Sequence, residues 1–489
     1  MKEKTHADIT ILGLGPGDPN QLTLEASRWL EQIDEIFLRT SQHPVVAALP
    51  PALKIHSFDA VYEQSDRFEE VYERITQAVI KHGKRPQGVT YAVPGHPFVA
   101  EATCSEIIRC ARQEGLSVRV IDGLSFLEPV CRALEIDPFP QLCLVDALEL
   151  GASHHPSFPP SSPALVAQIY SRRVAAEVKL TLNAVYPDEH PVRLVHAAGT
   201  LEQLVEDMPL YEIDRSDRVG LLSVLYIPPL GRDTSFEAFQ ELVAHLRAED
   251  GCPWDRKQTH LSLRQHLLEE TYETLAALDA EDYQAMAEEF GDLLLQIVLH
   301  AQIASEEGTF TMADILRGIH QKIVRRHPHV FGDIRVSGVS GVLANWEKLK
   351  AKEREENGEK GKGLLDGVPR ALPALSQAQE YQERAARVGF DWKDIHGPLD
   401  KIREEMEELQ TAASEAERFS EIGDLLFALT NVIRWYGVDA ESALRAANQR
   451  FYKRFSYIEK RAEEEGCTLS NMTLEEMDRW WDEAKTRGL

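Results

Sequence analysis

The hydrophobic rhythm of the chain changes once. Up to about residue 228, short β-branched runs alternate with helix-period segments: Ile9–Leu14, Glu35–Leu38, Val89–Val93 and Val118–Ile121 read as strands, Thr23–Gln32 and Glu101–Gln113 as helices. That alternation is the pattern of an α/β fold with a largely parallel sheet. The stretch Gly151–Pro163, GASHHPSFPPSSP, excludes helix and central strand and reads as a hinge between two subdomains. Beyond it, Ala164–Tyr170, Val192–Ala197 and Val219–Ile227 read as strands, with a helix near Ala175–Asn183, and Pro228-Pro229-Leu230-Gly231 punctuates the end. After Arg232 strand signals nearly vanish. Apolar residues then recur at helical spacing, as in Leu267, Leu268, Tyr272 and Leu275, then Phe290, Leu293, Leu294, Ile297 and Val298. The expected architecture is multidomain, a two-subdomain α/β part followed by an all-α part. The segment Lys350–Gly363, KAKEREENGEKGKG, reads as a flexible linker dividing two helical bundles, so the expected domains are 1–228, 229–362 and 363–489.

Two helical segments carry an unusual set of acids. LDKIREEMEEL places Glu405 and Glu408 three residues apart, and EIGDLLF does the same for Glu421 and Asp424, so each pair shares a helix face. Two such helices packed antiparallel would bring four carboxylates into one small volume, where their repulsion persists unless a cation sits among them. A hard divalent ion, Mg²⁺, is the natural occupant. The pattern recurs upstream as Glu270 and Glu273 in LLEETYETL, then Glu289 and Asp292 in EEFGDLLLQ. Taken singly, either acid run looks like a solvated face of an acidic chain. Recurrence alters that reading, because Gly291 and Gly423 stand at the same place inside both helices, where glycine costs about 1 kcal/mol against alanine. Close packing or a ligand at that point would explain both. The gap between acid pairs is three residues longer in the first copy, from Glu270 to Asp292, than in the second, from Glu405 to Asp424.

Other parts repeat in the same order. Lys322, Arg325 and Arg326 follow the first acid set as Arg450, Lys453 and Arg454 follow the second, at matching distances, suited to phosphate oxygens that a metal does not hold. Ahead of each set stands an aromatic–acid element, Cys252–Asp255 (CPWD) and Gly389–Trp392 (GFDW), whose rings suit packing or a nucleobase. In the N-terminal part, strands end in glycine-rich turns at Gly13–Asp18 and Pro94–Pro97, where an open α/β sheet binds ligands, although neither a G-x-G-x-x-G nor a phosphate-loop motif is present.

Composition narrows the partners. With 53 basic against 80 acidic residues among 489, the formal charge of −27 argues against nucleic acid or an anionic membrane surface. The six cysteines, at 104, 110, 131, 143, 252 and 467, form no C-x-x-C pair and read as reduced thiols. The opening MKEKTHADIT has no apolar signal region, and no run of 18 apolar residues occurs, so the expectation is a soluble, cytoplasmic protein.

Residues 9–40, with VTYAVPGHPFVAEAT and VRVIDGLSFLEPVCRAL, resemble the tetrapyrrole (corrin/porphyrin) methylase family over about the first 228 residues. The resemblance implies S-adenosylmethionine in a cleft between two subdomains, facing Pro16, Pro94, Gly95, His96, Val99, Ser125, Phe126, Ile169 and Gly199. His96 stands where the family commonly has Asp, which changes the polarity of the pocket. Residues 235–489 resemble the MazG family of nucleoside triphosphate pyrophosphohydrolases through GCPWDRKQTH, LLEETYE, EEFGDLLLQIVLHAQIA and RRHPHVFGD in one copy. The second copy carries RAARVGFDWKDIHGPLDKIREEMEEL, EIGDLLFALTNVIRW and ANQRFYKRF. This implies tandem helical domains, Mg²⁺ dependence, a homodimer, and cleavage of nucleoside triphosphates to monophosphate and pyrophosphate. The metal ligands implied are Glu405, Glu408, Glu421 and Asp424, with Glu270, Glu273, Glu289 and Asp292 in the first copy. Lys401, Glu404, Arg450, Lys453, Arg454 and Trp481 match positions near the nucleotide, with Glu404 a candidate to take the proton of the attacking water. Two other functions fit the same sequence: a methyltransferase whose helical half serves dimerisation, and a nucleotide-sensing regulator without turnover.

Overall fold

The computed structural model describes residues 7–64, 67–332 and 363–489, with 334, 335, 338, 341, 342, 345, 346 and 349 between them. The linker expected at 350–363 lies outside the described residues except for Gly363. The chain divides into two compact units, residues 1–257 and 258–489.

The first unit holds two five-stranded sheets. In the first sheet β1 (Ile9–Gly13), β2 (Glu35–Leu38), β3 (Lys54–Ser57), β4 (Val89–Val93) and β5 (Val118–Ile121) are all parallel in the order β3-β2-β4-β1-β5. Strands β1 and β4 are buried along their whole length, as central strands covered on both faces must be. Ile9, Ile11, Tyr91 and Val93 face one core with Val71, Ile75 and Val79 of α3 (Phe68–Gly83) and Ile107 of α4 (Ala102–Gln113). Leu12 and Ala92 face the other, with Trp29 and Leu30 of α1 (Leu24–Leu30), while α2 (Asp59–Glu63) lies ahead of α3. Thr23 caps α1 by accepting from the Ala26 amide, and Glu101 caps α4 by accepting from the Thr103 amide.

The second sheet, β6-β7-β10-β8-β9, is mixed. It comprises β6 (Cys143–Asp146), β7 (Ala164–Ala167), β8 (Pro191–His196), β9 (Leu204–Pro209) and β10 (Ser223–Ile227). One face packs on α6 (Ala147–Gly151) and α7 (Arg172–Leu182). On the other, Leu165, Val195 and Val224 meet Val130 and Leu134 of α5 (Leu127–Leu134), which comes from the first half. The expected hinge at Gly151–Pro163 is therefore corrected. It joins α6 to β7 inside the second sheet, and the crossing between sheets comes earlier, between α5 and β6. Proline and serine excluded regular structure there, which is a weaker statement than marking a boundary. Helix α8 (Phe236–Arg247) belongs to the first unit, where its cap Ser235 accepts a 2.7 Å hydrogen bond from Ser161.

The second unit is helical. Its first copy contains α9 (Arg264–Asp279), α10 (Tyr283–Glu306), α11 (Met312–Arg326) and α12 (Pro328–Phe331). Its second contains α13 (Ala374–Arg387), α14 (His396–Thr411), α15 (Glu415–Trp435), α16 (Ala440–Glu464) and α17 (Leu474–Thr486). Short acid-capped turns set the pairing: Asp282 opens α10 by accepting from the Gln284 and Ala285 amides, and Ser414 opens α15 in a capping box with Glu417. Gln382 of α13 donates to the Phe427 carbonyl of α15 at 2.8 Å, and Arg445 of α16 pairs with Asp279 of α9 at 3.6 Å.

Candidate functional site

In each copy the helix pair brings acids together. Oxygens of Glu270, Glu273 and Glu289 all lie within 4.8 Å of one another, and so do those of Glu405, Glu408 and Glu421. Asp292 and Asp424 stand one turn further along, outside that tight group but close enough to bear on it. Burial pushes the Glu270 carboxyl up, and Asp292, Glu273 and Glu289 add to the rise. Burial also pushes Glu289 up, with Glu273 and Asp292 behind it, and Glu421 up, with Glu408, Glu405 and Asp424 behind it. Such mutual discomfort is what a divalent ion relieves, so the residues present fit a hard cation. In the first copy Thr274 pins the crossing, donating to the Glu270 carbonyl at 2.7 Å and reaching the Glu289 carbonyl at 3.4 Å.

The copies differ beside the acids. Lys401 Nζ lies 2.7 Å from Glu405 and 2.8 Å from Glu404, and these two carboxylates hold the ammonium above its ordinary range. Glu405 itself is 4 % exposed. In the first copy the position four residues before the corresponding acid is His266, which leans on Glu269 at 3.3 Å. Around Gly291 and Gly423 a Cβ would meet nothing within 4 Å among the described residues. Close packing against those residues is therefore not what the two glycines serve. Open space flanked by exposed Phe419, Leu426 and Phe427 remains at Gly423.

Downstream, Arg454 lies over the Trp481 ring at 5.4 Å and donates to the Leu489 carbonyl at 2.7 Å, and Phe451 packs on the same indole. Arg450 and Lys453 are exposed on α16. In the first copy Arg326 lies over Trp346 at 5.4 Å, while Lys322 and Arg325 are exposed on α11. Trp346 thus repeats the stacking of Trp481 against an arginine and was missed in the sequence, where NWEKLK echoes RWWDEAK only faintly. The aromatic–acid elements also take different parts. Asp391 accepts from Arg434 at 2.7 Å and from the Trp435 indole at 3.3 Å, fixing the end of α15, whereas Trp254 and Phe390 are largely exposed.

In the first unit the turns after β1 and β4 are locked together: Gly15 donates to the Gly95 carbonyl at 3.2 Å, and Gly95 to that of Gly15 at 2.8 Å. A Cβ on Gly13 would sit 2.5 Å from the Gly123 nitrogen and 2.7 Å from the Gly95 oxygen, so three strand ends meet backbone to backbone. Beside them is a cavity of about 220 Å³ whose wall includes Pro16, Pro94, Gly95, Val99 and Phe126. Four other expected positions lie off that wall. His96 pairs with Asp122 at 3.5 Å, Ser125 donates to Glu128 at 2.6 Å, Ile169 is in the second-sheet core, and the Gly199 amide donates to Gln203 at 3.1 Å. The wall also includes Arg39 and His43, which the sequence reading passed over although both follow the carboxyl end of β2.

Two sheets around a glycine-walled cleft, followed by helices that twice gather three carboxylates, describe a methylase-like domain joined to pyrophosphohydrolase-like helical domains. Residues 8–214 match the model of the tetrapyrrole (corrin/porphyrin) methylases, and residues 258–331 match that of the MazG nucleotide pyrophosphohydrolase domain. YabN of Bacillus subtilis (strain 168), described as uncharacterized, is 44 % identical over 491 residues, covering 98 % of each chain. The nucleoside triphosphate pyrophosphohydrolase/pyrophosphatase MazG of Thermotoga maritima is 45 % identical over 250 residues, 51 % of this chain and 95 % of that one. The Escherichia coli (strain K12) nucleoside triphosphate pyrophosphohydrolase is 43 % identical over 242 residues, 48 % of this chain and 91 % of that one. The chain belongs to the family in which a tetrapyrrole methylase domain is fused to MazG-type pyrophosphohydrolase domains.

Proposed function

We propose that the helical unit hydrolyses nucleoside triphosphates to monophosphate and pyrophosphate in a Mg²⁺-dependent reaction, as a homodimer in the cytoplasm, with tandem domains, the first ending at 362 and the second spanning 363–489. The observation that carries this reading is the double convergence of carboxylates, each trio within 4.8 Å and each with a carboxyl pushed up by burial and by its acidic neighbours. Glu405, Glu408, Glu421 and Asp424 would hold the metal, and their counterparts would do so in the first copy. A divalent ion there supplies an acidified water and neutralises phosphate oxygens. Glu404 is the proposed acceptor of the water's proton, kept within 2.8 Å of Lys401. Arg450, Lys453 and Arg454 take the charge that develops on departing pyrophosphate, and Trp481 offers its face near Arg454 to the substrate. Lys322, Arg325 and Arg326 are the corresponding groups of the first copy. The second copy is the proposed main catalyst, since Lys401 has no lysine counterpart at His266. Exposed apolar side chains on α10 and α15, among them Phe290, Ile297 and Phe419, supply a surface for the second subunit.

For the first unit, the cleft beside Gly15 and Gly95 favours an S-adenosylmethionine site. The test of both readings is incubation with a panel of nucleoside triphosphates and Mg²⁺, with monophosphate and pyrophosphate measured, alongside an S-adenosylmethionine titration. Binding of nucleotide without turnover would favour a sensing regulator. Methyl transfer with no nucleotide binding would leave the helical half a dimerisation module.

A further inference from the structure

We propose that Arg39 and His43 form the acceptor side of the first unit's cleft, and that the acceptor admitted there carries at most one charge and is not a macrocycle bearing several carboxylates. The proposal rests on the S-adenosyl reading of the same cleft. Both side chains line the cavity that holds Pro16, Gly95 and Val99, yet neither belongs to the set that the family motif assigns to the donor.

Charge decides the kind of acceptor. Among the described residues lining the cavity, Arg39 is the one charged side chain. It is already matched, because Nη1 is ion-paired to Glu101, whose carboxylate is buried, and Nε donates to the Tyr62 hydroxyl at 2.8 Å. Burial alone would weaken the guanidinium, but Glu101 and Tyr62 outweigh it and hold the charge in place. The wall is therefore fixed and close to neutral. Each further carboxylate brought into such a site would lose its water without gaining a cation.

His43 supplies the second observation. It is 5 % exposed, its Nδ1 has no hydrogen-bond partner among the described residues, and burial pushes its imidazole down to about 4, so it is neutral at physiological pH. A buried nitrogen left unpaired costs folding stability, and a ligand that reaches it removes that cost. Methyl transfer beside it breaks the donor's C–S bond with the electron pair left on sulfur. The methyl carbon bonds to the acceptor's nucleophilic atom, and the proton lost there goes to water.

The test uses the full chain with two probes, S-adenosylhomocysteine and uroporphyrin III, an octacarboxylate macrocycle. Calorimetric titration is expected to give saturable S-adenosylhomocysteine binding and no saturable porphyrin binding to the loaded protein. Porphyrin binding that His43→Leu weakens overturns the proposal. Without ligand, His43→Leu is expected to raise the melting temperature of the first unit by about 2–4 °C, whereas His43→Asn, which keeps a polar group, is not. A fall in melting temperature for His43→Leu makes the imidazole structural and also overturns it. S-adenosylhomocysteine affinity in His43→Leu is expected to stay within about threefold, and a tenfold loss would assign His43 to the donor instead. Failure of the wild type to bind S-adenosylhomocysteine sinks the S-adenosyl reading, while the sign of the melting shift still decides whether His43 is kept for a ligand.

Discussion

Replacing Gly423 by alanine separates what the fold needs from what the site needs. Gly423 lies in the interior of α15, between Glu421 and Asp424, and a Cβ there meets no atom of the described residues within 4 Å. Alanine is the better helix former by about 1 kcal/mol, so the metal-free protein should gain that much stability. For a helical unit of this size the gain is a rise of about 2–4 °C in melting temperature, read by calorimetry. Turnover should move the other way. If a nucleotide or a second subunit fills the open space, the added methyl intrudes on it, and pyrophosphate release should fall by at least about tenfold, a loss of roughly 1.4 kcal/mol. A lower melting temperature would mean the helix itself requires glycine. A higher one with unchanged turnover would mean nothing docks there, and either result refutes the reasoning.

Further predictions concern the acids. Glu405→Gln or Asp424→Asn should abolish pyrophosphate release with helical circular dichroism intact, whereas Glu270→Gln should leave most of it; the reverse would move the chemistry to the first copy. Lys401→Met strips Glu405 of its cation, so without metal the unit should lose about 1–2 kcal/mol, allowing for the partial exposure of the lysine, and added Mg²⁺ should restore it in a thermal melt. The carboxyls of Glu270, Glu289 and Glu421 titrate above the ordinary 4.5, so the folded form holds more protons than the unfolded one between 4.5 and those raised values. In a chelator, these groups make stability fall as pH rises through that window and recover as pH is lowered through it; saturating Mg²⁺ should flatten the dependence, and an unchanged slope would argue against a shared metal.

Much of the α/β part was readable because its central strands are buried on both faces and therefore written in continuous apolar residues, as ITILG and VTYAV are. The strands overlooked are those whose residues answer to water as well as to the core. β3, KIHS, is exposed along its length at a sheet edge, and β6, CLVD, and β9, LVEDMP, form the two edges of the other sheet, β9 ending in proline. The acid trios were legible because helical spacing fixes which residues share a face, and repetition weighed against an ordinary solvated surface. What spacing does not reveal is a partner's approach from another element. Arg39 and Glu101 are 62 residues apart and meet only because β2 and β4 are neighbours. Trp346 escaped for a similar reason, since its stacking on Arg326 depends on how the chain returns after α12.

The meeting of Gly13, Gly95 and Gly123 carries a consequence for how such a domain changes over time. Any side chain at Gly13 would collide with two other strand ends at once, so the floor of the cleft is sterically closed to drift. On the adjoining wall Arg39 is tied to the buried Glu101, but His43 is under no such restraint. A lineage can therefore exchange what the cleft accepts by altering a few wall residues, while the floor beneath is inherited unchanged.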